Sequence, residues 1–428
     1  MNSESPNNID QHQQTARIVI VGGGVIGAAC AYYLNQSGAD VTVIDRGAFG
    51  QGCSHGNCGY LSPSHILPLC QPGAVTSTLK TMFQKNSAFS IKPRFDLSLF
   101  NWLLQFARKC NHKDMLHAGY ARQALLDSSR ELYLSLFQAN ILDDCELHTD
   151  GLLFVHDQEE HFHHYEKTDK LLQDEFGLAA KPFAGAELTE LEPALKAGIA
   201  GGWLYECDSH VRPDKVMAAW KRRLEENQVE IIEDCQFQSI ESSNGTVNGI
   251  QTSTGLIKTD QVIFATGALT PTLGKQLQAS IPIQPGKGYS LTMPRPKVCP
   301  KYPMIFEEHR VAITPMDSGY RIGSTMEFAG YDSTIREERL ELLVNGAKHY
   351  LKEPMAEPIQ EKWSGWRPMS SDGIPMIGQL PKFKNAWIAS GHSMLGLSMA
   401  TATGKLVAEL ITQQTPHVDP TPYRVDRF

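Results

Sequence analysis

A cluster of glycines between residues 19 and 45 constrains the fold of this chain more than any other feature. The stretch is VIVGGGVIGAACAYYLNQSGADVTVID, and the apolar, β-branched run at 17–22 is typical of a fully buried parallel strand. The next segment has helical periodicity and stops at Gly38, and DVTVID then forms a second apolar run. The pattern therefore predicts a βαβ unit with a right-handed crossover.

The turn of this βαβ unit carries a Gly-x-Gly-x-x-Gly pattern at Gly22, Gly24 and Gly27. The first glycine permits a tight turn, the second lets the backbone approach a pyrophosphate, and the third allows the helix to pack closely on the strand. The helix N-terminus then offers unpaired N–H donors and a partial positive charge to the diphosphate. The unit therefore predicts a bound adenine dinucleotide.

An acid at the end of the second strand fits the same interpretation. Asp45 can accept hydrogen bonds from ribose hydroxyls, and its charge disfavours a ribose 2′-phosphate, so NADP is a poor fit. The dinucleotide contacts expected in this unit are Gly22, Gly24, Val25, Ile26, Gly27, Asp45 and Arg46.

A second buried strand decides between the two dinucleotides that remain, FAD and NAD. This strand, VIFATGA at 262–268, ends in Thr266 and Gly267, a turn that flavoproteins place beside the dinucleotide. No second strand-linked glycine pattern exists to receive a nicotinamide cofactor. One tightly held FAD is therefore expected.

Composition excludes several classes of partner. With 39 basic and 47 acidic side chains the formal charge is -8, which offers no electrostatic footprint for nucleic acid. No apolar run approaches the roughly 20 residues needed to span a bilayer. The first 16 residues are polar and lack the basic start and apolar core of a secretory signal. We expect a disordered leader at 1–16 on a cytoplasmic protein. The sequence leaves open whether the protein lies at the inner face of the membrane.

The nine cysteines are odd in number, scattered and without the spacing of metal ligands. Cys53 and Cys58 are too far apart for a Cys-x-x-Cys pair, and no histidine cluster completes a zinc set. We expect reduced thiols and no metal.

The remaining segments predict an α/β fold, with a Rossmann-like FAD-binding domain and an inserted α+β substrate domain that contains a mostly antiparallel sheet. One helix, in SLFNWLLQFARKC, places Leu99, Trp102, Leu103, Phe106 and Cys110 on one face. This face suits a core or domain-interface helix better than a membrane-docking stripe. The FAD-binding domain is expected at 17–90, 212–275 and 362–428, and the substrate domain at 91–211 and 276–361.

Several longer motifs resemble the D-amino-acid oxidase superfamily of flavoproteins, and most closely the bacterial D-amino-acid dehydrogenases. The resemblance spans the chain from Arg17 to its last residues. Its most specific pieces are GCSHGNCGYLSPS at 52–64, PIQPGKGYSLTM at 282–293, GSTMEFAGYD at 323–332, WSGWRPMSSDGIPMIG at 363–378 and ASGHSMLGLSMATATGKLVAELI at 389–411. Together these motifs are specific to the superfamily but not to one substrate.

The resemblance implies two groups of flavin contacts. The first is the loop that faces the flavin ring, and the second is the turn before the last helix, whose N-terminus would stabilise negative charge on reduced flavin. The loop residues are Ser54, His55, Gly56, Asn57 and Gly59, and those of the turn are Gly391, Met394, Leu395 and Gly396. A solvent-exposed loop histidine is the alternative for His55.

The resemblance also implies three catalytic residues. Arg367 matches an arginine that binds the substrate carboxylate, and its planar guanidinium offers two parallel donors; a structural arginine is the alternative. Tyr289 is expected to close the pocket, with a core tyrosine as the alternative, and His392 to lie beside the flavin. Related glycine oxidases carry a second arginine where this chain has Met394, and this difference points to the dehydrogenase branch.

The activity implied by the resemblance is oxidation of a D-amino acid, with hydride passing from Cα to flavin N5 and without a dedicated base. The loop at 56–69 favours cyclic D-imino acids such as D-proline or cis-4-hydroxy-D-proline over broad D-amino-acid use. A sarcosine or glycine oxidase and a non-catalytic flavin-bound partner subunit are the alternatives. The sequence leaves open whether a quinone or oxygen accepts the electrons, whether the protein associates with a membrane, and whether it forms homo- or hetero-oligomers.

Overall fold

The computed structural model describes residues 15–76, 89–92 and 94–428. The leader expected at 1–16 lies, up to residue 14, outside the described residues. The helices are α1 (Val25–Gln36), α2 (Leu97–Lys109), α3 (His112–Gln138), α4 (Glu159–Phe176), α5 (Gly185–Leu191), α6 (Pro213–Glu226), α7 (Gly274–Leu277), α8 (Glu337–Tyr350) and α9 (Gly396–Ile411).

The strands follow in the same chain order. They are β1 (Arg17–Val21), β2 (Asp40–Ile44), β3 (Tyr60–Leu61), β4 (Phe89–Ile91), β5 (Leu152–His156), β6 (Lys181–Ala184), β7 (Gly201–Tyr205), β8 (Ser209–His210), β9 (Glu230–Ile232), β10 (Phe237–Ser243), β11 (Thr246–Thr252), β12 (Gly255–Lys258), β13 (Gln261–Phe264), β14 (Ile283–Met293), β15 (Met304–Phe306), β16 (Val311–Met316), β17 (Gly319–Phe328), β18 (Glu361–Ser370), β19 (Met376–Gln379) and β20 (Ala386–Ser390).

A six-stranded sheet with the order β19-β20-β13-β1-β2-β9 forms the first layer of the molecule. Its strands are parallel except for β19, which runs antiparallel to β20. The apolar strands are buried because α1 and α9 cover one face of the sheet, while β10 and β11 pack against the other. Gly38 has a φ of 86°, which fits the stop signal expected after α1. The expected Rossmann-like βαβ unit is present.

Small residues let the last helix lie close to the first. A Cβ at Gly404 of α9 would fall 2.5 Å from the backbone carbon of Ala29 in α1. The long helix α3 lies along α9, where the Tyr133 hydroxyl donates to the Leu397 carbonyl at 3.0 Å. The N-terminus of α9 is therefore held from two sides.

A nine-stranded sheet forms the second layer and is mostly antiparallel. Its path runs β18-β14-β17-β16-β15-β5-β7-β6, with β4 added to β17. The strands β10, β11 and β12 make a separate antiparallel sheet, in which Asn244 and Gly245 form a hairpin turn with φ of 51° and 75°. The α/β fold class with an inserted antiparallel sheet is confirmed.

Strand pairing departs from the expected domain boundaries at two places. The segment 362–370 was assigned to the FAD-binding domain, but β18 pairs with β14 over ten positions, from Ile283 opposite Ser370 to Thr292 opposite Glu361. The strand β4 at 89–91 pairs with β17 in the same large sheet. Both segments belong to the second layer because a continuous ladder satisfies their backbone groups there.

The helix α2 buries the face that its sequence indicated. Leu99 and Trp102 are buried, and the Trp102 indole donates to the Met369 carbonyl at 2.9 Å. The opposite face of this segment is apolar and exposed, with Phe95, Leu97, Phe100 and Leu104 in contact with solvent. Among the described residues, no helix combines the length and the apolar character needed to cross a bilayer.

Candidate functional site

The glycine turn after β1 leaves no room for side chains. Gly22 has a φ of 115°, and a Cβ there would lie 2.5 Å from the Ala265 carbonyl oxygen. A Cβ at Gly27 would lie 1.9 Å from the carbonyl oxygen of Gly22, which is a severe overlap with backbone. The turn can therefore be built only with glycine at both positions.

The N-terminus of α1 presents free backbone donors. Gly24 is the N-cap and has no side chain that could cap the helix. The Ser54 hydroxyl accepts the Val25 N–H at 3.0 Å, whereas the N–H groups of Ile26 and Gly27 lie in the first turn and have no intrahelical partner. A side-chain-free cradle with unpaired donors fits the diphosphate of a dinucleotide.

The Asp45 carboxylate braces this turn. One of its oxygens accepts the Gly23 N–H at 2.7 Å, and the other accepts the Gly47 N–H at 3.0 Å. Each carboxylate oxygen has a further lone pair, so either oxygen can still accept a hydrogen bond from a ribose hydroxyl. The neighbouring Arg46 side chain is exposed.

The turn at Thr266 and Gly267 lies against the glycine turn, where a Cβ at Gly22 would fall 3.3 Å from the Thr266 backbone nitrogen. Gly267 has a φ of 55°, and its carbonyl accepts the Ser390 hydroxyl at 2.9 Å. The Thr266 hydroxyl lies 2.9 Å from that of Thr270. The carboxyl ends of β1, β13 and β20 therefore meet at one edge of the sheet, where parallel α/β proteins bind ligands.

The loop at 52–59 connects this edge to the large sheet. The Asn57 side chain donates to the carbonyls of Cys53 and Ser54 at 3.2 and 3.0 Å and accepts the Gly59 N–H at 2.8 Å, which shapes the loop from inside. The Gly56 carbonyl accepts the Ser290 hydroxyl of β14 at 2.7 Å. The amide of Asn57 therefore supports the loop backbone.

A tryptophan explains the glycine in the middle of this loop. A Cβ at Gly56 would fall 2.3 Å from the ring of Trp363 in β18, and a Cβ at Gly365 would fall 2.4 Å from the same ring. The indole is thus held between the loop and its own strand. It fixes the distance between the loop and the large sheet.

A buried arginine that the sequence did not single out anchors the loop. Arg321 of β17 is 1 % exposed and donates to the Asn57 carbonyl at 2.8 Å. Burial lowers the pKa of its guanidinium, while the nearby carboxylates of Asp214 and Glu361 act in the opposite direction. The only signal in the sequence was an arginine within the apolar strand YRIGSTM.

The side chain of His55 points toward Glu361, one of the two acids near Arg321. Its Nε2 lies 2.7 Å from the Glu361 carboxylate, and the ring is half-buried. The alternative of a solvent-exposed loop histidine is therefore not what the structure shows. Flavin contact by His55 stays a prediction.

Arg367 of β18 faces the loop and has no acidic partner among the described residues. Its position lies opposite Gly286 in the ladder with β14, and a Cβ at Gly288 would fall 2.5 Å from its guanidinium. One Nη donates to the Thr325 carbonyl at 2.7 Å. Burial lowers the pKa of Arg367, and the neighbouring Cys53 and Cys58 thiols oppose this shift. A guanidinium remains charged even so.

The turn before α9 is attached to the strand that carries Arg367. The Ser393 N–H donates to the Pro368 carbonyl at 3.0 Å, and His392 forms a β-bridge with Met369. Ser393 adopts a φ of 53°, and the next residue, Met394, exposes 42 % of its surface. Leu395 is the N-cap and Gly396 begins the helix. The helix N-terminus and Arg367 are therefore brought together.

The structure corrects the expectation that His392 lies beside the flavin as a catalytic group. The ring is 2 % exposed, and its Nε2 lies 3.0 Å from the hydroxyl of Thr403, which is inside α9. Burial lowers its pKa to about 3. The physical reason is that the turn directs this side chain into the core under the helix.

We expect His392→Gln to leave the shape of the pH profile of kcat/KM unchanged between about pH 6 and 9. The ring is neutral throughout this range because its pKa is lowered to about 3 by burial. Glutamine retains a group that can hydrogen-bond to Thr403. The measurement is steady-state kinetics at a series of pH values, and the loss of an inflection in the variant would contradict the prediction.

The structure also corrects the role expected for Tyr289. Tyr289 lies opposite Ser364 in the ladder, three positions from the pair of Gly286 and Arg367. Because successive side chains of a strand point to opposite faces, the Tyr289 side chain is on the other face of the sheet from Arg367. Its hydroxyl donates to Glu327 at 2.8 Å, and the ring packs in the core that includes Leu340 of α8. The alternative of a core tyrosine is therefore the one that the structure supports.

Tyr289→Phe is expected to change kcat/KM by less than about threefold and to lower the free energy of unfolding by about 1–2 kcal/mol. The lost hydroxyl serves only Glu327, which also pairs with Arg336 at 3.2 Å. Steady-state kinetics and denaturant unfolding measure the two effects. A loss of activity above about tenfold with FAD retained would instead place the hydroxyl at the site.

A family model described as FAD dependent oxidoreductase, DAO, matches residues 17–410 of this chain. The chain belongs to the DAO family. The expected superfamily is thereby confirmed, as are its enzyme class, an oxidoreductase, and its cofactor, FAD.

Two kinds of relatives are similar to this DAO family member. A D-amino acid dehydrogenase of Granulibacter bethesdensis is 29% identical over 426 residues, which cover 96% of this chain and 99% of the relative. One of Helicobacter pylori is 29% identical over 396 residues, covering 92% and 94%. Among solved structures, glycine oxidase from Geobacillus kaustophilus has a TM-score of 0.77 at 22% identity and covers 97% of this chain and 100% of its own. L-proline dehydrogenase from P. horikoshii has a TM-score of 0.71 at 22% identity, covering 96% and 98%.

Proposed function

We propose that this DAO family member is a D-amino-acid dehydrogenase that oxidises the Cα–N bond of its substrate. The observation that carries the proposal is Arg367, a half-buried cation beside the loop at 52–59 with no acidic partner among the described residues. A buried guanidinium without a carboxylate is costly unless a ligand supplies one. The relatives named D-amino acid dehydrogenase support the same assignment.

Arg367 binds the substrate carboxylate in this proposal. The hydrogen bond to the Thr325 carbonyl uses one edge of the guanidinium and fixes its plane. The remaining N–H groups can form two parallel bonds to a carboxylate, which orients the Cα hydrogen. Bound FAD supplies the hydride acceptor at flavin N5. Catalysis by the protein is then mainly a matter of orientation.

The ionisable groups closest to Arg367 keep their own protons and do not act as bases. Burial raises the pKa of both Cys53 and Cys58, although Arg367 lowers it in part. Both thiols therefore remain protonated at neutral pH. The productive form of the substrate binds with a neutral amine, because a free nitrogen lone pair assists departure of the hydride.

The N-terminus of α9 provides electrostatic support for the reaction. Its first N–H groups lie beyond Leu395, and the turn that leads to them is hydrogen-bonded to Pro368, the residue next to Arg367. A helix N-terminus carries a partial positive charge, which stabilises negative charge that develops nearby. The helix therefore favours the reduced state of the cofactor.

The substrate class that we propose is cyclic D-imino acids such as D-proline and cis-4-hydroxy-D-proline. Trp363, Gly365 and Arg367 occupy every second position of β18 and therefore lie on one face of the strand. The indole and the carboxylate anchor share that face. The Trp363 ring fills the space over Gly365 and brings an apolar surface to this face, which suits an apolar substrate ring better than a charged side chain. The loop sequence GNCGYLSPSHILPL supports the same preference.

An anaerobic flavin spectrum tests the reaction and the substrate class together. D-proline and cis-4-hydroxy-D-proline are expected to bleach the flavin band at least about tenfold faster than D-alanine, and L-proline is expected to leave it unchanged. Equal rates for all D-amino acids would overturn the cyclic preference alone. Bleaching only by glycine or N-methylglycine would indicate a glycine or sarcosine oxidase, and no bleaching by any amine would indicate a non-catalytic subunit.

Reoxidation of the reduced protein identifies the electron acceptor. We propose a quinone or a similar acceptor, as the dehydrogenase names of the relatives suggest. In stopped-flow mixing, a soluble quinone is expected to restore the flavin band faster than air-saturated buffer. Fast reoxidation by air with formation of hydrogen peroxide would identify an oxidase.

A further inference from the structure

A group of histidine and acidic side chains lies at the ends of two neighbouring strands, away from the flavin site. The strands β5 and β15 pair in parallel, with Val155 opposite Phe306. Their carboxyl ends are therefore adjacent, which brings His156 and Asp157 close to Glu308. His161, in the first turn of α4, completes the group. No metal is expected from the sequence, because the cysteines lack the spacing of metal ligands and no histidine cluster completes a zinc set.

The donor atoms of this group converge. Glu308 Oε1 lies 3.1 Å from His161 Nδ1 and 3.4 Å from His156 Nδ1. One ligand atom each from Asp157, His161 and Glu308 can be chosen so that all lie within 4.8 Å of one another. Atoms that share one metal ion lie at such separations, because each is about 2 Å from the ion.

Two side chains in the group lack the partners that buried polar atoms normally have. His156 is 3 % exposed; its Nε2 has no hydrogen-bond partner among the described residues, and its Nδ1 has only the 3.4 Å contact with Glu308 Oε1. The buried Oδ1 of Asp157 likewise has no hydrogen-bond partner in the part of the chain that the structure describes. A buried polar atom without a partner is costly, so two of them next to one carboxylate indicate a missing ligand.

The Glu308 carboxylate is positioned to act as a metal ligand. The Tyr350 hydroxyl donates to its Oε2 at 2.6 Å, which fixes the carboxylate and leaves Oε1 directed at the two histidines. The free Oε1 is therefore positioned to contact an ion that His161 also reaches.

We propose that Asp157, His161 and Glu308, with His156 Nδ1 beside Glu308, form a binding site for one Zn²⁺ ion or a similar divalent first-row metal ion. Such ions accept imidazole together with carboxylate ligands, whereas Mg²⁺ and Ca²⁺ prefer oxygen ligands alone. The ion would tie the start of α4 to β5 and β15. Because β15 is four strands from β18 in the sheet order, the proposed role is structural and separate from Arg367.

The test uses the FAD-containing full chain, treated with a chelator and then dialysed against ZnCl₂. We expect one tightly held Zn²⁺ per chain and a rise in Tm of several degrees, because the ion binds only the folded state. His161→Ala removes a ligand that is on the surface, so the variant is expected to fold, to lose the stoichiometric Zn²⁺ and to show no rise in Tm. Glu308→Gln is expected to behave in the same way.

His163→Ala is the matched control, since its side chain is 70% exposed and, among the acidic groups that the structure describes, contacts only Glu159, at 3.5 Å. This variant is expected to bind Zn²⁺ like the unmodified protein. Equal binding by His161→Ala, or no stoichiometric binding by the unmodified protein, would overturn the proposal. Loss of binding only in His349→Ala would overturn it as well, because it would assign the ion to the stacked pair of His309 and His349.

Discussion

Arg367→Lys is expected to lower kcat/KM for the preferred D-imino acid by roughly 3 kcal/mol, about 150-fold, mainly through a higher KM. The guanidinium uses one Nη on the Thr325 carbonyl and still has a parallel pair of donors for a carboxylate. A lysine ammonium is a single point charge that cannot fill both roles. Steady-state kinetics and a titration of flavin absorbance with substrate would measure the loss.

The control for this prediction is Arg222→Lys, on the exposed side of α6, where the arginine pairs with Asp143. This variant is expected to keep the kcat/KM of the unmodified protein. The FAD content of Arg367→Lys shows whether the cofactor is retained, which separates substrate binding from cofactor loss. An unchanged KM would remove Arg367 from the role of carboxylate anchor, even if D-amino acids still reduce the flavin.

Gly27→Val is expected to abolish FAD binding and to lower the free energy of unfolding by about 3 kcal/mol. Even the first carbon of a side chain at this position would lie 1.9 Å from the Gly22 carbonyl oxygen, so either α1 or the glycine turn must shift. Such a shift moves the N–H groups of Ile26 and Gly27 away from the diphosphate. The ratio of flavin absorbance to protein and the denaturant midpoint measure both effects.

Gly274→Ala provides a matched control at the start of α7. Its Cβ would be 3.7 Å from the nearest atom, which is an ordinary contact, and we expect full FAD content in this variant. A Gly27→Val protein that holds one FAD per chain would show that the glycine turn does not set the position of the cofactor.

The parts of the fold that could be predicted are those whose causes lie within a few residues. The apolar run of β1, the periodicity of α1 and the positive φ at Gly38 depend on local sterics and on alternation of apolar residues. The long helix α3 was not predicted. Its buried positions are spread over several faces, and they are explained only by contacts such as those of Ser129 with Thr401 and of Tyr423 with Ala121.

The candidate site shows the same division. Arg367 and the loop at 52–59 were identified from their motifs, and the structure brings them together. Tyr289 was assigned to the pocket but lies on the opposite face, because it is three positions from the pair of Gly286 and Arg367 and successive side chains of a strand point to opposite faces. Arg321 was not identified because its role depends on accepting carbonyls in a distant loop.

The sequence by itself determined the βαβ unit and its glycine turn, because steric exclusion of a Cβ at Gly22 and Gly27 acts between neighbouring atoms of the chain. Only the tertiary structure decided which side chains share a face with Arg367 and which polar atoms, such as Nε2 of His156, are buried without partners among the described residues. Those properties depend on strand register and on contacts between distant segments, and both are established only when the sheets assemble.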